Sequence, residues 1–156
     1  MLRDVLVGAT AGAVGTVALN AATYADMVVR ARPPSSVPSE VAGELAGKAG
    51  IDLSGSSDGD ATAENRKSGL GALFGIGTGV GVGLAYGAIR PHLGRRVSLP
   101  RAAVVLGLAA MAGSDVPSAA LGVTDPTRWG ANAWASDLVP HLAYGLATAA
   151  AYEAFR

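Results

Sequence analysis

"GLGALFGIGTGVGVGLAYG", Gly69 to Gly87, contains eight glycines, all at odd positions. Three structures compete for such a stretch. A dinucleotide loop needs G-x-G-x-x-G between a strand and a helix. After Gly77-Thr78-Gly79 the third glycine would fall on Val82, and every other register also places it at an even position. No Lys-Ser/Thr follows, which removes the P-loop as well. A strand would put the glycines on one face and Leu70, Phe74, Ile76, Val80, Val82, Leu84 and Tyr86 on the other. A lone strand in lipid leaves its backbone unsatisfied, and the chain offers no sibling strands.

The helix reading accounts for the pattern. Gly71, Gly75, Gly79, Gly83 and Gly87 form an unbroken i, i+4 ridge, a glycine zipper. Gly69, Gly77, Gly81 and Ala85 form a second ridge, interrupted by Leu73 and about 160° around the helix. Small residues let helix backbones meet, so this helix is expected to be the central element, approached from two sides. Gly8, Gly12, Gly15 and Thr16 supply a matching small face near the N-terminus.

The glycine helix is one of four long, nearly uncharged segments, about 5–27, 68–89, 102–123 and 132–155. Half of the chain is apolar and only 15% is charged, against about 25% in soluble domains. About 20 apolar residues cross a bilayer, and none of the four segments shows the charged stripe of a soluble amphipathic helix. The fold class expected is therefore all-α: a single integral membrane domain, 1–156, of four transmembrane helices. The first segment begins "MLRD" and lacks a convincing A-x-A cleavage site, so it is read as a retained helix. The net charge is zero, which gives no footprint for a nucleic-acid partner. The chain has no cysteine, which excludes disulfides and thiolate metal clusters. No cofactor or metal is expected. The partners expected are the lipid bilayer and a homo-oligomer or membrane-protein partner.

The segment 31–67 reads as a polar loop after Pro33-Pro34, with a short helix from Pro38 to Gly47 that puts Val41, Ala42, Leu45 and Ala46 on one side. Its acidic residues fail the calcium-loop pattern, since neither Asp52 nor Asp58 has glycine five residues on or glutamate eleven on. The short second loop holds Arg90, Arg95, Arg96 and Arg101, whereas the third holds Arg128 alone. The positive-inside rule then places both termini in the cytoplasm. Trp129 and Trp134 sit where interfacial anchors belong.

Polar side chains inside spans are costly and mark bundle interiors or ion paths. The candidates are Asn20, Tyr24, Asp26 and Arg30 in the first span, Asp115 in the third, and Asp137 and His141 in the fourth. Alternating spans put all of them in the half of the membrane beneath loops one and three. Asn20 and Tyr24, Asp26 and Arg30, and Asp137 and His141 are each spaced i, i+4. Three roles fit: structural glue fixing helix register, a proton or cation relay, or an enzyme using the Asp137–His141 pair. No nucleophile motif accompanies that pair, so no catalytic residue is assigned. A structural or partner-binding membrane subunit is the expected function, with a small proton- or cation-coupled transporter or channel, acting as an oligomer, as the alternative.

The residues "GATAGAVGTVALNAATYADM", "RARPPSSVP" and "DLVPHLAYG" resemble a group of small uncharacterised actinobacterial membrane proteins. The glycine-rich first helix followed by Pro-Pro also resembles the YagU-like inner-membrane family. What this resemblance implies is a bacterial inner-membrane location, and nothing catalytic.

Overall fold

The computed structural model describes residues 1–54 and 59–156, with side chains except at 59, 60 and 94–96. Asp58, Arg95 and Arg96 therefore lie outside the described residues or side chains. The described chain is all-α: α1 (Leu2–Arg30), α2 (Val37–Lys48), α3 (Gly59–Ile89), α4 (Leu99–Ala120) and α5 (Ala131–Phe155), with 3₁₀ turns at Arg90–Arg96 and Pro126–Arg128. Three helical stretches among the described residues, Leu2–Arg30, Ala61–Leu93 and Leu99–Ala120, are long and apolar enough to cross a membrane. The 25-residue α5 has the length. Asp137, His141 and Glu153 interrupt its apolar run.

Sequence explains where the elements stop. Ala31 takes a left-handed conformation (φ 49°) that closes α1, and Pro33-Pro34 prevent its resumption. Pro38 and Pro100 fall in the first turns of α2 and α4, where no amide partner is lost. The expected short helix in the first loop is α2, which buries Ala42 and Ala46. The polar loop is shorter than 31–67, because α3 begins nine residues before Ser68, at Gly59. Between α2 and α3, Asp52 accepts bonds from the Ser54 hydroxyl and amide, which hold its carboxyl below the usual carboxylate range.

The packing is inside-out relative to a soluble bundle. The fully buried side chains of size are Tyr144, Tyr152 and Thr148, and the rest of the core is mostly alanine. Large aliphatics point outward along every long helix, among them Val17, Leu73, Val105 and Val139. α1 lies between α3 and α5, and α5 lies between α1 and α4, whereas α3 and α4 meet only lightly.

Helix α3 is thus not the central element, because one of its two glycine ridges has nothing against it. A Cβ added at Gly69, Gly77 or Gly81 would meet no atom within 4 Å. The other ridge is used. A Cβ on Gly83 would lie 2.6 Å from Gly12 Cα and closer still to the Gly8 carbonyl oxygen. One on Gly87 would lie 3.0 Å from Gly8 Cα, and one on Gly12 would lie 3.0 Å from Gly83 Cα. Gly79 faces Thr16, and Gly71 faces Pro38 of α2, but Gly75 meets nothing. The antiparallel α1–α3 seam is closed from Gly87 to Gly79 and open at Gly75. A second glycine seam joins α4 and α5: a Cβ on Gly145 would lie 2.5 Å from Gly107 N, and one on Gly107 would lie 2.7 Å from the His141 carbonyl oxygen.

Candidate functional site

The antiparallel packing gathers the C-terminal ends of α1 and α4 with the N-terminal ends of α3 and α5. Asp26, Arg30, Asp115, Asp137 and His141 all fall in this half of the bundle. They form two groups. The outer group is ionic: Arg30 Nε lies 2.7 Å from Asp26 Oδ1, and Arg32 Nε lies 2.5 Å from Asp26 Oδ2. Arg30 also donates to the hydroxyl of Ser136, which ties α1 to the first turns of α5. Ser136 in turn donates to the Asn132 carbonyl.

The inner group is acidic. The carboxyl of Asp115, on α4, lies beside that of Asp137, on α5. His141 follows Asp137 by one turn, and its Nδ1 lies 3.4 Å from Asp137 Oδ1 and 2.8 Å from the Asp137 carbonyl oxygen. A carbonyl oxygen only accepts, so Nδ1 carries a proton, and in the neutral ring Nε2 is the accepting nitrogen. Asp137 Oδ2 is buried and takes no bond from any amide, hydroxyl or basic side chain among the described residues. Arg30 and Arg32 are committed to Asp26, and Arg30 to Ser136 as well, rather than to the acid pair. Ser114 and Ser118 turn their hydroxyls back onto α4 carbonyls. Pro117 and Pro140 remove one amide each from their helices, yet no described side chain donates to the freed carbonyls of Gly113 and Ser136.

Asn20 and Tyr24 do not join either group. Both are exposed on the outward face of α1, Tyr24 by 61%. Tyr144, two turns along α5 from Asp137, is buried completely, and its hydroxyl donates to the Gly79 carbonyl at 2.7 Å. That carbonyl is reachable because Gly79 and Gly83 have no side chains to cover it.

A polar cluster at the opposite end escaped the sequence reading. Arg90 is 7% exposed and binds Glu153 through Nε at 3.1 Å and a terminal nitrogen at 2.9 Å. It also engages the Tyr86 hydroxyl. Arg156 holds the second Glu153 oxygen at 2.6 Å, and Tyr86 stacks edge-on against Tyr152. Glu153, the lone acid in the C-terminal half of α5, was the available signal. Trp129 and Trp134, the expected anchors, stack on each other at 5.2 Å beside the third loop.

Among the described residues, no three carboxylate or imidazole groups converge as metal ligands. Comparison with known proteins finds no family model, curated protein or solved structure that matches this chain.

Proposed function

We propose that the chain is a four-span membrane protein whose Asp115–Asp137 pair binds and releases a proton inside the bilayer, the working part of a small proton-coupled carrier. The membrane reading is supported by the three apolar helices and by the outward display of large aliphatics around a core of alanine, glycine and tyrosine. α5, sandwiched between α1 and α4, completes four spans.

The observation that carries the proton reading is two neighbouring carboxyls with no arginine or lysine paired to either among the described residues. Two ionised carboxylates in contact repel, strongly so away from water. A proton shared between them turns repulsion into a hydrogen bond. In the neutral ring, Nε2 of His141, one turn deeper, is a second acceptor within the same layer. Paired acids and histidines at this depth are the usual elements of proton relays.

The test is flux. Purified protein in liposomes loaded with a pH-sensitive dye, under an imposed potential, is expected to pass protons. Asp137→Asn is expected to abolish the flux, and Asp52→Asn, in the loop, to leave it unchanged. Absence of flux from the unmodified protein, or its survival in Asp115→Asn and Asp137→Asn alike, overturns the reading.

A structural or partner-binding subunit is the second reading, supported by the His141–Asp137 contact and the two glycine seams. Melting temperatures in detergent separate the two. If Asp137 and His141 act as glue, Asp137→Asn and His141→Gln each destabilise, and the double variant costs less than their sum. If the pair is a proton site, neutralising either aspartate stabilises the fold, since the strain between carboxyls is relieved.

A further inference from the structure

Helix α1 carries, deep in its span, a polar side chain that the described bundle leaves without a partner. Asn20 is exposed, and no hydrogen bond among the described residues involves its side chain. Arg30 marks the membrane surface ten residues on, so Asn20 lies about 15 Å below it, near mid-bilayer. An amide facing hydrocarbon there has two donors and an acceptor unsatisfied. Thr10, on the same face, has no such problem, because it donates to the Leu6 carbonyl at 3.1 Å.

The surroundings of Asn20 have a period. Leu6, Thr10, Ala13, Val17, Asn20 and Tyr24 are all exposed, and their spacing alternates four, three, four, three, four. That is the 3.5-residue repeat of a left-handed helix pair. At 100° per residue the stripe covers about 80° and lies roughly opposite the Gly8–Gly12–Gly15 face that packs inside. The open glycine ridge of α3 has no comparable claim, since it carries no polar group and lipid chains can fill it.

We infer that a second copy of this chain docks on this stripe, α1 against α1, in a parallel two-fold dimer. The symmetry argument selects the occupant. An amide is its own complement: across a two-fold axis each Asn20 donates one N–H to the side-chain oxygen of the partner's Asn20, so one contact type pairs the oxygen and one donor of each. A single asparagine at a seam position also fixes register and stoichiometry. The inference rests on α1 lying in the bilayer, and is independent of the proton site.

Because the chain has no cysteine, single cysteines can map the seam in native membranes. Oxidation is expected to give covalent dimers from Ala13→Cys and Val17→Cys. Val14→Cys and Ala25→Cys, exposed but about 80–100° away from the centre of the stripe, should give few. Asn20→Leu is expected to weaken the dimer about tenfold by sedimentation in detergent, and Asn20→Gln to retain it. Circular dichroism and melting of Asn20→Leu should match the parent, since the side chain contacts nothing inside. A monomeric parent, equal cross-linking at all four positions, cross-links to a different protein, or a dimer indifferent to Asn20→Leu each overturns the inference. Release of the protein from membranes by alkaline carbonate would instead overturn the membrane reading beneath it.

Discussion

The two ends of the bundle are built on different physics. At the end holding the chain termini, helices touch backbone to backbone. Gly8 and Gly12 interleave with Gly83 and Gly87, and Arg90 clamps Glu153 beneath the Tyr86–Tyr152 pair. At the other end α1 and α3 part company at Gly75, α2 fills in at Gly71, and the contacts are ionic or acidic. Backbone contacts have one close-packed arrangement and no rotamers to relax. Carboxyls, a histidine and arginines have several arrangements and a protonation state. One end is suited to holding the fold, the other to changing with its surroundings.

The sharpest way to break this contrast is at the clamp. Arg90→Ala strips Glu153 of its buried partner and should cost about 3 kcal/mol, read as a lower melting temperature in detergent. A change as small as that of an exposed pair would show that the closed end is not locked by this contact. Next comes the seam. Gly83→Ala forces a methyl against the Gly8 carbonyl, which cannot rotate away, and should cost about 1–3 kcal/mol. Gly81→Ala, two residues earlier and on the open ridge, should be neutral or slightly stabilising. Equal effects at Gly81 and Gly83 would refute a one-sided role for α3. A smaller loss, about 1 kcal/mol, is expected from Tyr144→Phe, which removes the α5–α3 bond to Gly79 but keeps the ring that fills the space.

How much of this was legible beforehand follows from what each residue signals. The odd-position glycines exclude the phosphate loop by arithmetic and the lone strand through its unsatisfied backbone; of the expected ridge, Gly79, Gly83 and Gly87 meet α1, Gly71 meets α2 and Gly75 meets nothing. They cannot say that the second ridge stays open, because small residues permit a contact without requiring one. Gly107 and Gly145 went unread for a related reason: neither has another glycine four residues away, and only antiparallel pairing brings them together. The layer of Asp26, Arg30, Asp115, Asp137 and His141 follows from the up-and-down order of the long helices, since their alternation fixes the end at which each residue lies. Its division into an ionic outer group and an acidic inner pair depends on which way each helix is rotated, a choice that depends on helix packing rather than on that order. The same rotation sends Asn20 and Tyr24 outward. Arg90 was legible as a surface charge and hidden as a partner, because Glu153 is 63 residues away in sequence.

Gly75 gives the finest probe of the contrast. It belongs to the zipper by sequence but meets nothing within 4 Å, whereas Gly79 and Gly71 on either side are covered. If α1 and α3 stay splayed there, Gly75→Ala only exchanges glycine for a better helix former. The expected result is then a gain of up to about 1 kcal/mol, seen as a modest rise in melting temperature. The same substitution also tests whether the gap closes in use. The seam above it shows how close these two helices come when glycine permits, and an alanine at Gly75 would block that approach. Should proton flux fall in Gly75→Ala while its melting temperature rises, the open half closes during the cycle and glycine is required for that closed state. Should flux and stability rise together or flux stay unchanged, the gap is permanent, and the zipper ends at Gly79.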